Sequence, residues 1–222
     1  MKKKHEQNHQ STVVVVVSIL LKAFTRNMNA FSLKSIGDFL FVIIEKIIVQ
    51  LPTLITPYIT YYEDIVENEI ALAHITKQDT VLHVGCGSVP STSLLIAQKT
   101  GASTVGIDKN IRSVQNAQYC VHAVHQENQI QVYQGNALTY SIQPFRCIIV
   151  SQGIEPRHEV LDHIAHTMGP DTKILYRTFS SEDGGIPTQD AILRTLFTVE
   201  NVVPHPQHGI LISVLLHKKT EK

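Results

Sequence analysis

Gly85 and Gly87 close an apolar run, Thr80 to Gly85, and stand before a helix-patterned segment, Thr92 to Lys99. Glycines in that place let backbone amides approach a ligand that a side chain would hold off, which is the geometry of a nucleotide-type turn. Roughly 20 residues later Asp108 ends the second apolar run, where a carboxylate accepts hydrogen bonds from both hydroxyls of a ribose. A lone Gly-x-Gly is an ordinary tight turn. With a strand before it, a helix after it and an Asp in register, it predicts a nucleoside site that also takes in Cys86, Pro90, Thr92 and Lys109. A dinucleotide enzyme would place a third glycine at the helix entrance to hold a pyrophosphate. Pro90 stands there instead, which weakens that reading; the carboxylate would serve NAD and S-adenosylmethionine (SAM) alike.

Other polar residues fall where further apolar runs end. Asn136 and Ala137 follow the third run; an amide at that point can accept from an adenine amine, or it can simply make a turn through local side-chain bonding. Ser151, Gln152 and Gly153 end the fourth run, at the edge where ligands bind in open α/β sheets. Arg177 follows the fifth and offers a planar fork suited to a carboxylate, with an ordinary surface ion pair as the competing role. Twelve histidines raise the question of metal. His163 and His166, or His205 and His208, have helical spacing but no neighbouring Cys or Glu in a zinc pattern, so no metal site is expected.

These residues need elements to hold them. From Thr80 onward β-rich runs (Thr80 to Gly85, Ser103 to Asp108, Gln129 to Gln134, Arg146 to Ser151, Thr172 to Thr178) alternate with helical segments (Thr92 to Lys99, Asn110 to His125, Pro156 to Met168). That alternation predicts a parallel sheet covered on both faces. After a helix at Thr188 to Phe197, the runs Thr198 to Val203 and Gly209 to His217 are joined through Pro204 to His208, a link short enough for an antiparallel hairpin. The expected fold is therefore α/β: a Rossmann-like, SAM-dependent-methyltransferase arrangement of seven strands over residues 79–219, with a helical region at 13–78 and a disordered basic tail at 1–12. Within the helical region, Phe39 to Leu51 carries apolar residues at helical spacing and Tyr58 to Ile75 reads as one helix.

Composition limits the function classes. Nineteen basic residues balance nineteen acidic ones, so no broad positive field exists to hold nucleic acid. Three cysteines, Cys86, Cys120 and Cys147, lack CxxC spacing and leave one unpaired, which predicts buried thiols in a reducing cytoplasm. The apolar run from Val13 is too short to span a bilayer and is followed by Lys22 and Arg26, so contact with a membrane surface is a minor reading. An exposed apolar layer at Phe39 to Leu51 would indicate a homodimer.

Several segments together resemble one family. GCGSVPSTS, Gly85 to Ser93, is similar to the G-x-G-x-x-P-x-T signature of nicotianamine synthases and their archaeal and bacterial relatives, in which the proline is expected. YYEDIVENEIAL (Tyr61 to Leu72), GIEPRHEVLDHIAHTMGPDTKILYRTFS (Gly153 to Ser180) and HPQHGILISVLLHKK (His205 to Lys219) resemble the family's helix before the first strand, its fourth-strand exit and its closing hairpin. The resemblance implies a SAM-dependent transferase that moves the aminobutanoate arm onto a small amine or amino acid and releases methylthioadenosine, in the making of metallophore-like molecules. It also implies that Tyr62, with Tyr61 as fallback, lies near the reacting amine, that Glu45 is a second catalytic group, and that Glu69 and Arg177 meet substrate. The N-terminal region is shorter than the family's, which leaves the acceptor open. A small-molecule methyltransferase on the same fold is the runner-up, and a non-catalytic SAM-binding module the third reading.

Overall fold

The computed structural model describes residue 45 and residues 48–219. The expectations for the basic start, for the run from Val13, and for most of the Phe39 to Leu51 stripe, with the homodimer hint it carried, lie outside the described residues.

A seven-stranded sheet in the order β3-β2-β1-β4-β5-β7-β6 forms the centre. Its strands are β1 Thr80–Val84, β2 Ser103–Asp108, β3 Ile130–Gln134, β4 Cys147–Val150, β5 Lys173–Phe179, β6 Phe197–Pro204 and β7 Leu211–Lys218. The first five pair in parallel, while β7 runs antiparallel to both β5 and β6. The hairpin read from the sequence is thus present, with its second strand inserted beside β5 and its first strand at the sheet edge.

The central strands are apolar on both faces because helices cover both. Val81, Cys147, Ile149, Leu175 and Leu215 face one core cluster, packed under α1 (Ile55–Tyr61), α2 (Glu63–Ala73), α3 (Ser91–Thr100) and α4 (Ile111–Ala123). Leu82, Ile148, Val150, Ile174, Tyr176 and Val214 face the other, under α5 (Arg157–Thr167) and the short α6 (Ile192–Leu196). Each such aliphatic side chain contributes about 1.5–3 kcal/mol when fully buried, so the two clusters fix which way every strand faces. Among the described residues no helix is long and apolar enough to cross a membrane.

Element ends follow local chemistry. Asn110, expected as the first residue of a helix, is the N-cap of α4, its side chain accepting from the Arg112 amide at 2.9 Å. Gly101 closes α3 in a left-handed conformation (φ 76°), its amide bonded to the Ala97 carbonyl.

Two expectations need correction. The single helix read over Tyr58 to Ile75 is two, because Tyr62 (φ −94°, ψ 3°) leaves helical dihedrals and both ends α1 and starts α2. One off-helix residue does not disturb an apolar period, so spacing could not reveal it. The helix read over Thr188 to Phe197 is a 3-10 turn, Thr188–Asp190, followed by α6, with Phe197 already in β6. The buried Asp190 carboxylate accepts from Thr178 (2.6 Å), Tyr176 (3.1 Å) and Arg157 (3.1 Å), which pins that segment to the sheet.

Candidate active site

A cavity of about 390 Å³ opens at the carboxyl ends of the parallel strands. Its first wall is the bend after β1. The Gly85 and Cys86 amides both donate to the Ile107 carbonyl of β2, at 2.8 and 3.0 Å, which folds the bend back over the neighbouring strand. Gly85 and Gly87 take φ of 75° and 69°, a region that side chains strain. The Gly87 amide donates to Asp108 Oδ2 at 3.1 Å, and the Asn110 amide to Oδ1 at 2.9 Å. The bend and the acid are therefore one unit, with the remaining lone pairs of the carboxylate turned to the cavity.

Of the residues expected to hold a nucleoside, Gly85, Cys86, Gly87, Thr92, Asp108, Lys109, Asn136, Ala137 and Gln152 line the cavity. Pro90 does not. It is the N-cap of α3, buried behind the bend, and its carbonyl accepts from the Leu94 amide. Asn136 Oδ1 accepts from the Leu138 amide at 3.0 Å, so the turn-making role is realised and the carboxamide nitrogen is the group left for a ligand. Lys109 reaches the Glu155 carbonyl at 3.4 Å, tying the β2 exit to the loop before α5.

Against the bend, Glu45, Tyr58 and Tyr62 form a hydrogen-bonded row. Tyr58 Oη donates to Glu45 Oε1 at 3.4 Å and lies 3.2 Å from Tyr62 Oη, while Glu45 Oε2 accepts from the Ser88 amide at 2.9 Å. Burial raises the Glu45 carboxyl from 4.5 to about 7, and it pushes both phenols well above their ordinary range. Tyr61 is not part of this row. It packs edge-on against Tyr62 and His208, away from the cavity lining.

The floor carries His83 on β1 and Arg177 on β5. His83 Nε2 lies 2.9 Å from Ser151 Oγ and Nδ1 lies 3.1 Å from Ser93 Oγ. Burial, helped by the Arg177 charge, lowers the imidazole to about 3, so it is neutral near pH 7. Arg177 is buried inside β5, neither a surface ion pair nor a residue beyond the strand. Its Nε and Nη2 donate to the two oxygens of Glu69 at 2.7 and 2.6 Å. Glu69, expected to touch substrate, does not line the cavity: it is fully buried in α2, its carboxylate taken by Arg177 and by Ser213 Oγ at 2.6 Å. The amphipathic pattern placed Glu69 on a helix but could not tell that its partner lay in β5.

The sequence pattern marked Tyr58 only as the start of a helix and did not single out His83. Tyr58 stands four residues before Tyr62, on the same helical face, and His83 is the polar residue inside TVLHV; those are the signals that would have found them. The histidine pairs considered for metal are otherwise engaged: His163 with the Tyr140 carbonyl, His166 with the Asp162 carbonyl, His205 with Ser213 and His208 with Asp64. Cys86, Cys120 and Cys147 are buried free thiols.

No protein-family model matches the chain. In sequence it is similar to an L-histidine 2-aminobutanoyltransferase of Yersinia pestis, 27% identical over 120 residues, which is 54% of this chain and 45% of that protein. The chain thus matches less than half the length of its curated relative. In fold it is similar to MtNAS crystallised with MTA and tNA (TM-score 0.73, 16% identity, 98% of this chain and 94% of that one). A glutamate-to-glutamine variant of MtNAS in complex with S-adenosylmethionine superposes similarly (TM-score 0.72, 14% identity, 94% and 91%). More distant is an RNA methyltransferase from Salinibacter ruber with S-adenosyl-L-homocysteine (TM-score 0.56, 14% identity, 72% and 94%). The mostly parallel sheet with its closing hairpin is the fold of these SAM-binding enzymes.

Proposed function

We infer that this chain belongs with the nicotianamine synthase-like enzymes and transfers the aminobutanoate arm of SAM to a small amine or amino-acid acceptor, releasing methylthioadenosine. The observation that carries the reading is the meeting in one cavity of a glycine bend tethered to Asp108 and the buried row Glu45–Tyr58–Tyr62, joined where the Ser88 amide donates to Glu45. The named relatives, with their aminobutanoyl transfer and their MTA and S-adenosylmethionine complexes, support it.

The residues fit the cosubstrate. Asp108 would hold the ribose hydroxyls, the bend at Gly85 and Gly87, whose missing Cβ positions are taken up by Ile154 and Glu45, would lie along the adenosyl group, and Asn136 and Ala137 would flank the adenine end. SAM supplies three electrophilic carbons around one sulfonium, so the group transferred depends on which carbon the site presents to the nucleophile. Attack by a neutral amine on the first carbon of the arm breaks that C–S bond, leaves its electron pair on sulfur, and frees one proton from the nitrogen.

The chain's own groups handle that proton. Tyr62 Oη faces the cavity and would hold the amine by a hydrogen bond. Tyr58 links it to Glu45, whose carboxyl titrates at about 7 and so can take a proton near neutral pH. His83 stays neutral and fixes the Ser151 hydroxyl beside them. A reducing cytoplasm suits the three buried thiols, and the products of such a transfer, carrying several amines and carboxylates, would chelate metal.

The test is product analysis. Purified protein incubated with SAM and a cell extract, or with the twenty common amino acids, is expected to release methylthioadenosine in step with a new arm-bearing product on mass spectrometry. Release of S-adenosylhomocysteine instead would assign methyl transfer, and release of neither would remove the enzyme reading.

A further inference from the structure

The guanidinium of Arg177 is unusual in being both deeply buried and open on one side. Only 6% of the residue is exposed, yet it lines the cavity. Its Nε and Nη2 are spent on Glu69, and Glu69 is itself fixed by Ser213, whose Oγ is also 2.9 Å from His205 Nε2. Among the described residues no hydrogen-bond partner occupies Nη1. One edge of the fork is thus locked by a buried carboxylate and the other is presented, at fixed orientation, to the space beside Tyr62 and His83.

The strand register says what that space borders. Val150 pairs with Tyr176 and Val84 with Val150, so Arg177 stands level with Ser151 and Gly85, on the same face, two strands from the bend. Strands lie about 4.8 Å apart, which puts the Arg177 backbone roughly 10 Å across from β1, a gap that the long arginine side chain narrows. A group running from the bend along the strand ends toward Tyr62 would end at Nη1. The neighbours of that edge, His83 and the two phenols, carry no charge near neutral pH and offer hydrogen bonds to a ligand anion; the acids nearest to it are Glu69, already paired with the guanidinium's other edge, and Glu45 beyond Tyr58.

We propose that Arg177 Nη1 is a carboxylate-binding subsite on the cavity floor, held in place by Glu69, Ser213 and His205, and that it selects ligands bearing an α-carboxylate. Such a carboxylate has two sources, the amino-acid arm of the adenosyl cosubstrate and the acceptor amino acid. The first rests on the function proposed above; the second does not.

The experiment compares S-adenosylhomocysteine, which has the arm, with methylthioadenosine, which lacks it, by isothermal titration. In the wild type the arm-bearing ligand is expected to bind more tightly. In the paired variant Glu69→Gln with Arg177→Gln, which removes both buried charges together and leaves neither unpaired, its affinity is expected to fall roughly 10- to 100-fold while methylthioadenosine holds within about twofold. Retained methylthioadenosine binding also reports that the variant is folded; if it is lost, Arg177→Lys, which keeps the charge and loses the fixed fork, takes its place with the same comparison. A second arm saturates wild type and variant with methylthioadenosine and presents the twenty common amino acids, observed by saturation-transfer NMR. Amino acids bound by the wild type and lost in the variant assign the carboxylate to the acceptor. An unchanged affinity ratio between the two adenosyl ligands, with no amino acid lost, overturns the subsite. If neither adenosyl ligand binds the wild type, the SAM reading fails, and the amino-acid arm run on the unliganded protein still decides Arg177.

Discussion

The Ser88 backbone amide donates to Glu45 Oε2 at 2.9 Å, a contact spanning 43 positions of chain. It joins the acid of the helical N-terminal part to the turn that carries Gly87, whose own amide holds Asp108. A Cβ added at Gly87 would lie 3.0 Å from Glu45 Oε1. The expected cosubstrate anchor and the expected proton acceptor therefore share one turn, and a change in either is felt by the other.

Glu45 gives a pH prediction. Its carboxyl titrates at about 7 in the folded chain because of burial, against 4.5 when solvated. Between those values the folded chain holds a proton that the unfolded chain has released, so this group lowers stability as pH rises through that window, with the full penalty present above about 7. The Glu45→Gln variant carries no such penalty. Its melting temperature is expected to match the wild type near pH 4 and to exceed it at pH 8; a constant difference across that range would rule out the raised pKa.

Turnover should follow the same group. If Glu45 accepts the amine proton, the wild-type rate rises with pH to a plateau above about 7. Glu45→Gln is expected to lose at least roughly 100-fold in kcat, the usual scale for removing a general base, while SAM affinity changes little. A wild-type rate in the variant would reject the role.

Tyr58 and Tyr62 separate by the same logic. Tyr62→Phe should lower kcat with SAM binding retained, because only the hydroxyl near the amine is lost. Tyr58→Phe interrupts the row between Tyr62 and Glu45 and should also lower kcat, with acceptor KM nearly unchanged. Equal rates for Tyr58→Phe and wild type across the pH profile would show that the proton leaves by another route.

Asp108→Ala removes the carboxylate and the partner of the Gly87 amide together. SAM affinity measured by titration calorimetry is expected to fall by roughly 100-fold or more, since two charge-assisted hydrogen bonds are lost. Undiminished affinity would take the ribose away from this residue.

Glu69→Ala isolates the buried Arg177 charge. Truncating one partner of a buried pair typically costs about 3–5 kcal/mol, since the other is left desolvated and unpaired. The variant should unfold at clearly lower denaturant than the wild type, and Glu69→Gln should recover part of the difference. A loss below about 1 kcal/mol, the scale of a surface pair, would mean that water takes the place of Glu69 at Nε and Nη2.

The sequence alone determined the sheet, because strands buried on both faces read as apolar runs and the helices between them follow their own period. It also placed Gly85, Gly87 and Asp108 on one cavity wall, since they lie within one β-α-β unit whose geometry is local. What it could not determine was long-range pairing among residues of similar type. Tyr58 and Tyr62 are ordinary phenols on a helix until Glu45 approaches, and Glu69 is one helix carboxylate among several until β5 brings Arg177 beneath it, 108 positions later. Those pairings depend on how the N-terminal helices settle on the face of the sheet, so the acid–phenol row and the half-used arginine fork belong to the tertiary structure.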